Sequence, residues 1–341
     1  MEPAILAEIT RGSIVESRHR GAVAVVTADG KLVASAGNID FVTYLRSAAK
    51  PHQAVALITS GAARRFEITS RELALICGSH SGEPYHVECV SALLTRLGLE
   101  RSALRCGIHT PFSRAVARAL GSTGVTELHN NCSGKHVGML AQAVHRGYTL
   151  DDYYAIDHPV QRYIASVLSE FVDLEPGQLI TAIDGCSAAT FAMTVRQMAL
   201  IYARLVNPVD LRGELAGAAR QVVDAMLQHP EMVAADTGRI DTDLIRLMKG
   251  SAIAKAGAEG VYAIGVLPCK RYPQGLGIAI KVEDGDVNRA RNAAILATLV
   301  QLELIDSRQT AALSAQYLAP LKNNSGLLVG EILPRVKLTF C

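Results

Sequence analysis

No stretch of this sequence is long and apolar enough to cross a bilayer, which takes about 18 uninterrupted apolar residues; runs such as LALIC and AILATLV stop far short. Insertion in a membrane is therefore not expected. Nor is there a run of charge of one sign. The 34 basic and 32 acidic residues are dispersed and leave a net charge of +2, so no basic stripe forms for phosphates and nucleic acid is not an expected partner. The opening MEPAILAEITRGSIVESRHR lacks the basic start, apolar stretch and small-residue cleavage site of an export signal, and a cytoplasmic location is expected. Tightly spaced cysteine pairs are missing as well. Cys77, Cys89, Cys106, Cys132, Cys186, Cys269 and Cys341 are odd in number and scattered; in a reducing compartment they are free thiols, most of them small buried hydrophobes. Internal repeats and low-complexity linkers are absent too.

What is present is the balance of a compact globular protein, with 49% hydrophobic and 19% charged residues. A chain of 341 residues can bury one large core or two ordinary ones. Residues 21–27 (GAVAVVT) and 31–36 (KLVASA) flank Ala28-Asp29-Gly30, a strong hairpin signal within a strand region spanning 13–36. From Ser47 to Thr59 the spacing of Ala54, Leu57 and Ile58 predicts a helix, and Pro51, tolerated in a first turn, places Ser47 near its start. Helical patterns dominate from 70 to about 248, including 87–97, 135–146, 159–171 and 190–205. Strand signals then return at SAIAKAG, GVYAIGVL and GLGIAIKV, followed by a helix over 287–304 and a strand-like 330–340. Sheet, helices, then sheet implies an α/β protein of the α+β kind: an antiparallel sheet built from both termini, flanked by helices, with a mostly helical region inserted. The expected division is a sheet part, 1–46 and 250–341, and a helical part, 47–249, within one unit.

Four constellations carry chemistry. In Ser47-Ala-Ala-Lys50 a helical separation of three puts hydroxyl and amine on one face, where a neutral lysine can take the serine proton. That demands a pKa well below the usual 10.4, by burial or nearby positive charge; the same pattern elsewhere is a capping serine and a solvated lysine. Cys77-Gly-Ser-His-Ser-Gly-Glu83 offers Ser79, His80 and Ser81 on a flexible loop, or equally a glycine-capped helix end. Asn130-Asn-Cys-Ser-Gly-Lys-His136 has a distant companion in Asp184-Gly-Cys-Ser187. Cys132 and Cys186 suit zinc, with His136 or neutral Lys135 completing the set; two buried thiols are the plainer alternative. Lys255-Ala-Gly-Ala-Glu-Gly260 puts a lysine among small residues, able to border a pocket and hold a carboxylate, or to end a strand.

The order Ser47-x-x-Lys50, Ser79 loop, Lys255-Ala-Gly257 resembles the three motifs of penicillin-binding enzymes, although Ala256 replaces the hydroxyl residue of the third and Ser79-His80-Ser81 departs from the second. A closer resemblance, over nearly the whole chain, is to the Rhizobium etli type (class 3) L-asparaginases, of serine β-lactamase and glutaminase-like fold. It is carried by Arg46-Ser-Ala-Ala-Lys-Pro51, Gly78-Ser-His-Ser-Gly-Glu83, Asn131-Cys-Ser-Gly-Lys-His136, Asp184-Gly-Cys186 and Lys255-Ala-Gly-Ala-Glu-Gly260. The resemblance implies that Ser47 pairs with Lys50 and Ser79 with Lys255, that Cys132, Lys135 and Cys186 are zinc ligands, and that Arg46, His136 and Asp184 neighbour the site. It further implies a homodimer that hydrolyses the small-molecule substrate L-asparagine. Attack by Ser47, loss of ammonia and hydrolysis of an acyl-enzyme would follow, with zinc positioning more than reacting. A glutaminase differs by about one methylene of pocket depth. Enzymes of the penicillin-binding type work outside the cytoplasm, and a non-catalytic zinc protein on the same fold is the alternative of another class.

Overall fold

A computed structural model describes residues 2–121, 123–175 and 177–341. The chain falls into two compact units: Met1–Thr43 with Met193–Asn207 and Leu247–Cys341, and Tyr44–Ala192 with Pro208–Arg246.

The first unit is the sheet, and both ends of the chain build it. Its strands run in the order Ile332–Pro334, Ala4–Arg11, Ile14–Val26, Leu276–Val282, Val261–Val266, Ala252–Ala256, while Leu32–Ala36 pairs with Ile14–Val26 and with Thr339–Phe340. Every pairing among these strands is antiparallel. Residues far apart in sequence meet directly, as Ala24 does with Ala279. Leu276–Val282 and Val261–Val266 are buried at every position, the mark of strands covered on both faces. On one face lies the helix Val195–Val206, packed against Ile14–Val26, Val261–Val266 and Leu276–Val282. It approaches so closely that a Cβ on Gly277 would stand 1.7 Å from Ala199 O. The opposite face carries the helix Ala290–Gln301, whose Arg291 lies 5.6 Å over the Tyr262 ring.

Two expectations are corrected here. Residues 190–205 are not one helix: Ala189–Thr194 is a strand, paired with Ile180–Ile183, and a capping box between Thr194 and Gln197 starts the helix only at Val195. That helix, expected in the helical part, belongs to the sheet unit. The strand Ala4–Arg11 was not anticipated.

In the second unit the helix Lys50–Thr59 is the core element, buried from Lys50 through Leu57. Around it pack the helices Ser70–Cys77, Ser133–Arg146, Pro159–Glu170 and Gly213–Gln228. Gly134 and Gly138 lie one turn apart on Ser133–Arg146; Cβ atoms there would come 2.8 Å from Leu75 O and 2.9 Å from Ile76 Cγ2. Only glycine permits that approach, and it lays the start of this helix beside the end of Ser70–Cys77. Among the described residues, no helix is long and apolar enough to cross a membrane.

Candidate active site

Three chain segments of the helical unit converge on Lys50. The tight turn Arg46–Ala49 leads straight into Lys50–Thr59, with Pro51 in the first turn of the helix and the Lys50 N–H donating to Ser47 O. Ser47 thus lies in the turn just before the helix, half-buried, without the capping bond its position suggested. Arg46 just before it has φ +52°, a left-handed conformation that costs a side-chain-bearing residue energy and is held only where the surroundings impose it.

The Lys50 side chain is 1% exposed. Its Nζ donates to Gly78 O at 2.7 Å, Ser79 Oγ at 2.9 Å and Asn131 O at 3.0 Å. Burial pulls its pKa below the ordinary lysine value, and the Lys135 charge adds to the effect against the opposing pull of Cys132. The Ser79 loop is held by a strap of backbone: Ser79 N–H and Ser81 N–H donate to Val233 O and Ala234 O, both at 2.8 Å. A Cβ at Gly78 would meet Met232 O at 2.6 Å.

The second cluster is sulfur and nitrogen. Cys186 sits at the tip of the hairpin Ile180–Ile183/Ala189–Thr194, beside Ser187 at φ +73°. Cys132 precedes the helix Ser133–Arg146, and Lys135 lies in its first turn. Lys135 Nζ donates to Cys186 Sγ at 2.9 Å. The single S–H of Cys132 has two acceptors, Asn131 Oδ1 at 3.0 Å and the Cys186 sulfur. That bond from Cys132, helped by the Lys135 ammonium, brings the Cys186 thiol down to about 5 against the effect of burial. Donating the same bond, together with burial, pushes Cys132 up to about 12. Burial works against the Lys135 charge, but Cys186, Cys132 and Asp184 outweigh it and leave the pKa raised.

Among the described residues no three His, Cys, Asp or Glu side chains gather as a metal set, and His136 Nδ1 is engaged by Tyr153 OH at 2.6 Å. Two sulfurs and one amine do gather. This donor set fits zinc, which favours sulfur and nitrogen, with Lys135 giving up its proton on binding.

The other expected residues each have their own partners. Arg46 Nε donates to Asp184 Oδ1 at 2.7 Å, tying the turn before Ser47 to the hairpin tip. Asp184 is held below the carboxylate range despite burial, by Lys135 and Arg46. His136 is fully buried and shares a 2.6 Å hydrogen bond with Tyr153 OH, which accepts from Arg105 N–H at 3.0 Å. Burial, then Lys135, lowers the imidazole to about 3, so it is neutral. Lys255 lies in the sheet unit on Ala252–Ala256, fully buried, with Nζ donating to Ala256 O at 2.8 Å.

The sequence motifs included Asn130 and Asn131 without a role, and the structure supplies it. Asn131 accepts from Lys50 through its backbone and from Cys132 through its side chain. Asn130 Oδ1 accepts the Cys132 N–H while its Nδ2 donates to Cys106 O and Gly107 O. The Asn-Asn pair before Cys132 was a legible sign of such turn-holding side chains; nothing near Tyr153 in the sequence announced its part.

A mixed α/β protein with a lysine buried against a serine has the parts for hydrolysis, and the family to which the chain belongs places it among the amidohydrolases. Residues 7–334 match the profile of the L-asparaginase II family, and the chain belongs to that family. No curated protein matches it significantly. Among solved structures it is distantly similar to a Bacillus glutaminase crystallised in 4.3 M NaCl, at 15% identity over 83% of this chain and 91% of that one, TM-score 0.39. A Bacillus subtilis glutaminase in covalent complex with 5-oxo-L-norleucine gives 13%, 83%, 88% and 0.39. Mglu in its native form gives 16%, 84%, 66% and 0.37.

Proposed function

We propose that this amidohydrolase cleaves the side-chain amide of L-asparagine, giving L-aspartate and ammonia, with Ser47 as nucleophile and Lys50 as its base. The observation that carries the reading is the buried Lys50 amine, disfavoured as a cation and bonded to Ser79 Oγ at 2.9 Å. A lysine becomes a base by giving up its proton, and the same burial that lowers its pKa promotes this. Neutral Lys50 has two N–H donors for its three acceptors, and its freed lone pair is what Ser47 needs three residues away. Ser47 Oγ then attacks the amide carbon, and its proton passes through Lys50 to the leaving ammonia. Water hydrolyses the resulting ester to the carboxylate by the same route.

Ser79 extends the proton path from Lys50; the part assigned to Lys255 rests on the family resemblance. Backbone N–H groups around Ser47 are the candidates for holding the oxyanion. Arg46 and Asp184 fix the turn that carries the nucleophile. Cys132, Lys135 and Cys186 are the residues that would hold zinc, whose contribution there is to orient a polar group of the substrate. The protein is further read as a cytoplasmic homodimer, which size-exclusion chromatography tests. Measuring ammonia from asparagine, glutamine and a β-lactam side by side tests the reading itself: asparagine is the expected substrate, and release only from one of the others would overturn the assignment.

A further inference from the structure

Arg239 precedes the helix Ile240–Leu247, at the end of the strap that runs along the Ser79 loop. Its Nη1 donates to Ser81 Oγ at 2.8 Å, and its guanidinium lies 4.8 Å over the Phe112 ring. The nearest carboxylate oxygen, Asp241 Oδ2, is 3.8 Å from Nη2, beyond a hydrogen bond. Of the five N–H donors of an arginine, one is used by the described protein. Arg96 makes a sharp contrast, binding Glu72 through two nitrogens and the Phe66 and Glu67 carbonyls besides. With its side chain 22% exposed, Arg239 is neither a free surface charge nor a satisfied buried one. Phe112 lies against the guanidinium, Ser81 accepts from one nitrogen, and the other N–H groups have no hydrogen-bond partner among the described residues.

An arginine held rigid with unused, coplanar donors is suited to a carboxylate, which it meets through two parallel hydrogen bonds. Its rotamer is already set, so little ordering is needed on binding. Ser81 is two residues from Ser79, a span of at most about 7 Å along the backbone. In asparagine, three carbon–carbon bonds of about 1.5 Å separate the amide carbon from the carboxylate carbon, about 4 Å end to end. An amino acid is therefore comparable in size with the stretch from Ser79, which shares Lys50 with the proposed nucleophile, to Ser81, which holds the guanidinium.

We propose that Arg239 receives the α-carboxylate of the amino-acid amide and so determines which amides are substrates. The proposal rests on the amidohydrolase reading above. Fixing the carboxylate turns side-chain length into a criterion, because glutamine's extra methylene carries its amide past the point that asparagine's reaches.

The test is kinetic, on the full-length protein, with L-asparagine and its α-methyl ester as substrates and ammonia as the readout. Arg239→Gln should raise KM for asparagine about 10- to 100-fold with kcat changed only a few-fold, and Arg239→Lys should restore part of the loss. With the methyl ester, which has no carboxylate, wild type and Arg239→Gln should have equal kcat/KM. An unchanged KM for asparagine overturns the proposal. So does an equal loss on both substrates, the signature of a residue that merely holds Ser81. Should Arg239→Gln not fold by circular dichroism, wild type alone decides: it must prefer asparagine to the ester by a comparable factor, and equal kcat/KM overturns the anchor. Wild type that releases ammonia from neither asparagine nor glutamine overturns the amidohydrolase reading and the anchor together, whereas turnover insensitive to Arg239 overturns the anchor only.

Discussion

Lys50 Nζ and Ser79 Oγ are 2.9 Å apart, and the lysine, 1% exposed, also donates to two backbone carbonyls. The base proposed for Ser47 is thus shared with a second serine, and a proton taken from one hydroxyl has a way to the other. Lys50→Met should lower kcat by about 10²- to 10⁴-fold, the usual contribution of a general base. Ammonia release from asparagine measures it, and near-normal turnover would remove Lys50 from the mechanism. The variant also leaves Gly78 O and Asn131 O without their donor, so a modest fall in stability is expected beside the loss of activity.

Ser47→Ala separates chemistry from structure more cleanly. Ser47 caps no helix and is half-buried in a short turn, so its removal should leave stability within about 0.5 kcal/mol of wild type. Turnover should nevertheless vanish. Denaturant melts beside the ammonia assay check both halves, and an active Ser47→Ala would leave Ser79 as the candidate nucleophile.

Much of this arrangement was legible, and the exceptions have physical causes. Leu276–Val282 and Val261–Val266 were readable because strands buried on both faces are apolar throughout. Ala4–Arg11 escaped notice because its alternation is broken by the shift of register between Ile5 and Ala7. The Ile180–Thr194 hairpin was masked by its apolar continuation into a helix, although the Asp184-Gly185 turn and the Thr194–Gln197 capping box both marked it. The contact of Lys50 with Ser79 depends on the Val233–Ala234 strap, brought in from some 150 positions along the chain; no local pattern encodes it. Arg239 was invisible for the same reason.

The close approach within the sheet unit predicts its own weak point. Gly277→Ala would place a methyl 1.7 Å from Ala199 O, which is backbone in a packed helix and cannot turn aside. Overpacking of this kind should cost about 3 kcal/mol or more. A urea midpoint that barely moves would mean that the helix Val195–Val206 is free to retreat from the strand.

Acid should destabilise the helical unit well before its carboxylates titrate. His86 is fully buried, takes the Glu83 N–H at 3.2 Å, bonds Glu231 O at 3.0 Å and stacks on His80 at 5.0 Å. Burial lowers His86 to about 4, and His80 also lies well below its ordinary value. An unfolded histidine titrates near 6.5, so between about 6.5 and 4 the unfolded chain binds a proton that the folded one refuses. Stability is therefore complete above that window and falls as pH drops through it, by about 2 kcal/mol at pH 5 from His86 alone. Urea melts at pH 7.5 and 5.0 should show the loss, and His86→Asn should flatten the slope while lowering stability at pH 7.5. An unaltered slope in that variant would assign the acid sensitivity elsewhere.

The remaining prediction concerns the metal. Cys186 joins the Cys132 sulfur on one side and the Lys135 amine on the other, and one zinc per chain is expected in protein purified without chelator. The two cysteines should not be equivalent. Cys186 accepts from Lys135 Nζ at 2.9 Å, which favours its thiolate, whereas Cys132 takes its backbone geometry from Asn130 and offers its proton to Asn131. Replacing Cys186 removes one sulfur and also the partner that holds Lys135 in place, so Cys186→Ser should lose more zinc than Cys132→Ser. Elemental analysis of the purified variants reads this without reference to activity. If the metal only orients substrate, removing it should raise KM for asparagine more than it lowers kcat, because binding shared by ground and transition states shows in KM. A kcat collapse at constant KM would instead give the metal a part in the chemical step. Full asparagine turnover by protein that contains no zinc would leave Cys132 and Cys186 as a buried thiol pair whose role is to fix the hairpin tip beside Arg46.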